Sequence, residues 1–130
     1  MSSMKAWASE TPGHENLTLV ERPIPKPGPG QVLLKMKAAS LNYRDTSVVK
    51  GAYPAPRLPE VVPCSDGCGE VVAIGSDVTR VQVGDRVAPL FFQDWISGPR
   101  RSEPSAPAST AACRNTCVWK KPGSPRSRPT

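Results

Sequence analysis

The stretch PCSDGCGEVVAIG, residues 63–75, decides how this chain folds. Its second half, residues 70–74, is apolar and β-branched, which predicts a strand that ends at Gly75. The glycines at 67 and 69 predict a tight turn and a close backbone approach beneath that strand. Cys64 and Cys68 are four positions apart, as are Cys113 and Cys117 near the end. A four-cysteine zinc site therefore has to be considered.

Further short strands are predicted on both sides of this stretch, separated by turns rich in proline and glycine. They cover residues 4–8, 17–22, 31–39 and 84–88. Residues 42–49 predict one or two helical turns, closed by Gly51. Short strands at this spacing are typical of a small barrel or sandwich, so we expect a mainly β fold with one short helix.

The composition changes at about Ile96. Residues 1–95 carry ten basic and ten acidic side chains, whereas residues 96–130 carry seven basic side chains and one acidic side chain. Serine, proline and arginine dominate the second segment, which predicts a disordered basic tail from 96 to 130. Because the tail lacks interleaved aromatic residues, we expect no specific binding of nucleic acid. Non-specific contact of the tail with anions stays open.

Membrane and secretory signals are absent from the sequence. No run of eighteen apolar residues exists, and the first residues lack the apolar core of a signal peptide. We therefore expect no membrane partner and a cytoplasmic, reducing location. In such a compartment, cysteines are expected to be inert thiols or ligands and not disulfides.

Five short motifs follow one another between residues 27 and 87. They are PGPGQVLLK (27–35), AASLNYRD (38–45), GAYP (51–54), SDGCGEVVAIG (65–75) and VGDRV (83–87). In this order they resemble the N-terminal GroES-like domain of the medium-chain dehydrogenase/reductase superfamily, in its zinc-free quinone-oxidoreductase-like branch. The resemblance covers residues 4–95 and implies a GroES-like partial barrel. The domain, residues 1–95, would then be incomplete.

The resemblance also bears on the metal question. Zinc-dependent members are expected to have a cysteine where this chain has Asn42, and Gly-His-Glu where it has Cys64, Ser65 and Asp66. Asparagine and serine are poor zinc ligands, so no metal is expected at this site. The cysteines at 64 and 68 then resemble small apolar fillers. A zinc site built with Cys113 and Cys117 remains the alternative.

The resemblance further implies an active cleft and its ligands. Family members transfer hydride between NADP or NAD and a small carbonyl, quinone or activated alkene. The GroES-like domain supplies one wall of the cleft, and a Rossmann domain with a glycine-rich turn holds the cofactor. This sequence has no Gly-x-Gly-x-x-Gly, so no cofactor is expected to bind the chain alone.

Candidate site residues come from the same resemblance. The cleft-lining, catalytic candidates are Asn42, Tyr43 and Arg44, and the cofactor-binding candidates in a full-length context are Asn42, Tyr53 and Asp66. Each has a structural alternative. Asn42 is equally suited to capping the helix, a structural role is favoured for Asp45, and Arg44 is suited to pairing with a carboxylate.

The tail carries a second hypothesis, a shifted reading frame from about Arg101 to Thr130. Ala112 to Pro122 can be encoded by bases that, read from one base before the Cys113 codon, spell Met-Pro-Glu-Tyr-Val-Cys-Leu-Glu-Glu-Ala. The family's domain is expected to continue with a strand of the type Glu-Tyr-Val. A barrel without that strand would have unpaired edges and a tendency to self-associate.

Three functions therefore stay open at this point. The first is the substrate-side part of an oxidoreductase, which is expected to be inactive alone. A nucleotide-binding assay and a metal analysis would separate it from the other two. The second is a small metal-binding or interaction module that uses the cysteines. The third is a nucleic-acid binder that uses the basic tail.

Overall fold

The computed structural model describes residues 2–54, 59–91, 98 and 116–120, and for the last five only the backbone strand. The elements in chain order are β1 (Ser3–Ala8), a 3₁₀ turn (His14–Asn16), β2 (Thr18–Pro23), β3 (Gln31–Ser40), α1 (Tyr43–Val49), β4 (Asp66–Ile74), β5 (Arg86–Val87) and β6 (Thr116–Lys120).

The strands form two antiparallel sheets. One is the ribbon β1-β2, and the other has the order β5-β4-β3-β6. Each sheet buries one face in a small apolar cluster. Ala6, Ala8 and Val62 pack together with Val20, while Leu34 and Val71 lie at the centre of the larger sheet. The prediction of a mainly β fold with one short helix is confirmed.

Strand β4 begins earlier than the sequence indicated. The predicted turn around residues 67–69 is wrong, because β4 starts at Asp66 and pairs Gly67 with Ala39 and Gly69 with Met36. The predicted close backbone approach is present, since a Cβ atom on Gly69 would lie 2.9 Å from the Lys35 carbonyl oxygen. The glycine therefore lets β3 and β4 meet at a register shift, where an ordinary side chain would collide.

A further strand, β6, falls inside the predicted tail. It pairs with residues 31–35 of β3 over its whole length, from Gln31 opposite Lys120 to Lys35 opposite Thr116. Its apolar residues at 117–119 fit a strand, and β3 offers an open edge that they can pair with. Apart from β6 and Gly98, residues 96–130 lie outside the described residues. The disorder predicted for that segment therefore stays a prediction.

The α-helix of the described residues, α1, has seven residues, and no helix in that part of the chain has the length and apolar character of a membrane span.

Candidate active site

The start of helix α1 places the predicted site residues. Asn42 has extended backbone angles (φ −128°, ψ 155°) and occupies the position just before the helix. Its backbone N–H donates to the Asp45 carboxylate at 2.8 Å, and the Asp45 N–H donates to the Asn42 carbonyl at 2.9 Å. The polar pattern at residues 42–45 therefore forms a local cap that starts the helix.

The same cap holds the loop before β4. The second oxygen of the Asp45 carboxylate accepts the backbone N–H of Cys64 at 3.1 Å, and Asp45 is only 6% exposed. The Asn42 side-chain amide donates to the Asp66 carboxylate at 2.8 Å. These two hydrogen bonds span 19 and 24 positions and bring the start of α1 and the start of β4 together.

The donor set at this junction does not fit zinc. Asn42 uses its amide N–H on Asp66, and Ser65 is 3% exposed. Neither residue is a usual zinc ligand. In residues 2–54 and 59–91, no three histidine, cysteine, aspartate or glutamate side chains come close enough to hold a metal ion.

The predicted residues differ in exposure. Tyr43 is 87% exposed, and Asn42 and Asp66 are also exposed, so these three side chains face solvent at the junction. Arg44 and Tyr53 are half-buried. The exposed polar groups can donate to or accept from a small molecule, whereas Asp45 is committed to backbone N–H groups and stabilises the fold.

Arg44 contacts two aromatic rings. Its guanidinium carbon lies 4.4 Å from the centre of the Tyr53 ring and 4.9 Å from the centre of the Phe91 ring. Both distances are in the range of a cation–π contact. Sequence reasoning selected Arg44 and Tyr53 but missed Phe91, because its contact spans 47 positions and leaves no local pattern.

The cysteines of this region differ from each other. Cys64 is 3% exposed and is disulfide-bonded, whereas Cys68 is a free thiol. The expectation that the cysteines are not in disulfides is therefore wrong for Cys64. Cys68 is not its partner, since Cys68 is a free thiol. Cys64 also has a positive φ of 68°, a backbone conformation that favours glycine.

An open groove of about 510 Å³ lies elsewhere, along strand β2. Its lining residues are Met4, Val20, Glu21, Arg22, Pro23, Pro25 and Glu60. Arg22 and Glu60 form an ion pair at its wall. None of the predicted site residues lines this groove. The chemistry-bearing residues lie instead on the open surface around the start of α1.

The two antiparallel sheets and the short helix form a mainly β domain, with the junction of Asn42 and Asp66 at its surface. The family model of the alcohol dehydrogenase GroES-like domain matches residues 28–123, so the chain belongs to this family. The matched range extends past residue 95, so the predicted end of the resemblance at that residue is wrong.

Individual relatives agree with this assignment. A zinc-type alcohol dehydrogenase-like protein of Schizosaccharomyces pombe is 46% identical over 90 residues, covering 68% of this chain and 26% of the relative. A quinone oxidoreductase of Pseudomonas aeruginosa is 52% identical over 63 residues, covering 48% of this chain and 19% of the relative.

A solved structure shows the same fold. The thermostable alcohol dehydrogenase of Pyrobaculum aerophilum superposes with a TM-score of 0.74 at 32% identity, covering 92% of this chain and 39% of that chain. The chain thus spans about a quarter or less of the length of the two curated relatives, and well under half of the solved one.

Proposed function

We propose that this chain is the substrate-side portion of an NAD(P)-dependent oxidoreductase of the quinone oxidoreductase or alcohol dehydrogenase type. The observation that carries the proposal is the junction of Asn42 with Asp66. It joins the two segments that line the cleft according to the resemblance. Asn42, Tyr43 and Arg44 line the substrate side of that cleft. Asn42, Tyr53 and Asp66 approach the cofactor in a full-length context.

The names of two relatives, a zinc-type alcohol dehydrogenase-like protein and a quinone oxidoreductase, support the substrate class that we propose. It is a small carbonyl, quinone or activated alkene that accepts hydride from NADPH or NADH. The exposed amide of Asn42 and the hydroxyl of Tyr43 supply hydrogen-bond donors of the kind that orients a substrate oxygen. No proton transfer is assigned to these residues, and the hydride donor belongs to the cofactor.

The 130-residue chain should show no nicotinamide-dependent turnover. It contains no glycine-rich dinucleotide motif, and hydride transfer needs the cofactor held against the substrate in a fixed orientation. The measurement is the absorbance of NADPH, and separately of NADH, with a quinone and with an aldehyde. A full-length quinone oxidoreductase serves as the positive control. Turnover by pure chain of confirmed mass would show that this portion is an enzyme by itself.

Zinc content separates this proposal from the metal-module alternative. Because Asn42 and Ser65 stand at the expected ligand positions, we expect purified protein to contain far less than one equivalent of zinc. The measurement is elemental analysis after gel filtration in a chelator-free buffer. One equivalent that survives this step, and that Cys68→Ser removes, would favour the cysteine-based module.

We also propose that the tail from about Arg101 is read in a shifted frame. The genetic code supports this, because the bases of Asn115 to Trp119 can spell Tyr-Val-Cys-Leu in the shifted frame, which resembles the strand with which the family's domain is expected to continue. The nucleotide sequence tests the proposal directly. We expect the shifted frame from about residue 100 onward to encode a continuing dehydrogenase. If the shifted frame holds an early stop or no such continuation, the tail is a genuine product.

Two further predictions belong with the incomplete domain. In the described residues, Gly69 and Glu70 of β4 pair with β5, and Val71 shares backbone hydrogen bonds with residues 84 and 85, so only the two ends of β4 are open on that side. Self-association through such edges stays a prediction, and so does a cytoplasmic location.

A further inference from the structure

Arg44 is a cation without a counter-charge in the described part of the chain. Its guanidinium lies against the Tyr53 and Phe91 rings, and neither ion pair of the described residues includes it. Its Nε–H is buried and has no hydrogen-bond acceptor there. The ring contacts stabilise the positive charge but accept none of the five N–H groups of a guanidinium. Buried polar groups are normally hydrogen-bonded, so the Nε–H of Arg44 needs an acceptor that the described residues do not supply.

The neighbouring carboxylates do not provide one. Asp45 accepts two backbone N–H groups, from Asn42 and Cys64, and Asp66 accepts the Asn42 amide. The ion pairs of the described residues join Arg22 to Glu60 and Lys37 to Glu70. The structural alternative for Arg44, pairing with a carboxylate, is therefore not found among the described residues.

We infer that Arg44 binds an oxyanion, a carboxylate or phosphate group carried by the ligand of the cleft. The inference rests on the proposed function, which places Arg44 on the substrate side. A guanidinium is planar and presents parallel N–H groups that match two oxygens of such a group. Tyr53 and Phe91 hold this plane in one orientation, which lowers the cost of ordering a long side chain on binding. Within the proposed substrate class, Arg44 thus favours molecules that also carry a carboxylate or phosphate group.

The test is an NMR titration of the full 130-residue chain, with no nicotinamide cofactor and no turnover measured. The probes are sodium acetate and inorganic phosphate, each compared with sodium chloride at the same ionic strength. We expect the Arg44 Nε–H signal to shift saturably with acetate, phosphate or both, and not with chloride. The response to each probe separates a carboxylate source from a phosphate source.

Two variants make the result specific. Arg44→Lys keeps the charge but loses the planar pair of donors, so we expect the affinity for the oxyanion, followed in this variant on the backbone N–H signals of residues 43–45, to fall about tenfold. Arg80→Lys is the matched control, because Arg80 is exposed and has no described partner. This control should leave the titration unchanged. In the unmodified chain, the Arg44 and Arg80 signals can be compared directly, so the test survives if Arg44→Lys fails to fold.

Several results would overturn the inference. They are an Arg44 signal that ignores both oxyanions, an equal response to chloride, and an equal response at Arg80. A fourth is a change in the ligand-free Arg44 Nε–H signal when Asp94→Asn or Glu103→Gln is compared with the unmodified chain. That change would identify an acceptor within the chain. The titration contains no cofactor, so its result does not depend on whether the chain turns over NADPH. If the chain binds oxyanions at Arg44 and also shows turnover, the proposed inactivity is refuted and the inference on Arg44 stands.

Discussion

Asp45→Asn should lower the free energy of unfolding by about 2 kcal/mol, because the carboxylate accepts two backbone N–H groups that one amide oxygen cannot replace. These donors are the N–H groups of Asn42 and Cys64, at 2.8 and 3.1 Å. In the variant, an amide NH₂ would face one of them inside a site that is 6% exposed. Helix α1 and the loop before β4 would both lose their anchor. Urea unfolding followed by circular dichroism gives the difference.

Asp85→Asn is the matched control for this change. Asp85 accepts one backbone N–H, that of Gln82, at 2.9 Å, and an asparagine keeps one oxygen for it. We expect a loss of no more than about 0.5 kcal/mol, as for most exposed substitutions. Equal urea midpoints for Asp45→Asn and the unmodified chain would mean that the carboxylate does not join α1 to the loop.

Gly75→Ala should be at least as damaging, with a loss of about 3 kcal/mol from overpacking. A Cβ atom built on Gly75 would lie 1.8 Å from the Gly28 carbonyl oxygen and 2.7 Å from the Gly28 carbonyl carbon. Both are backbone atoms, so no side chain can rotate out of the way. The N–H of Gly75 also donates to the Gln31 carbonyl at 2.8 Å, which ties the end of β4 to the start of β3. The variant is expected to unfold at a much lower urea concentration.

Gly28→Ala provides the comparison for the same chemical change. There the new Cβ atom would meet the side-chain oxygen of Gln31 at 3.2 Å, and that side chain can move. We expect a cost below about 1 kcal/mol. If Gly75→Ala and Gly28→Ala unfold at the same midpoint, the close approach of residues 75 and 28 is not a constraint on the fold.

The sequence by itself determined the local elements. Alternating or β-branched runs predicted β1, β2, β3 and the core of β4, because side chains of a strand point to opposite faces with a period of two. The polar residues at 42–45 and the glycine at 51 predicted the bounds of α1, since caps are local hydrogen-bonding patterns. The five motifs also indicated the family.

Only the tertiary structure decided which of these elements meet. The start of β4 at Asp66 depends on pairing with Ser40 of β3, and no local pattern marks that contact. The acceptor role of Asp45 toward Cys64 spans nineteen positions, and the contact of Arg44 with Phe91 spans far more. Local sequence patterns describe neighbours along the chain, whereas the junction of Asn42 with Asp66 and the ring contacts of Arg44 arise from neighbours in space.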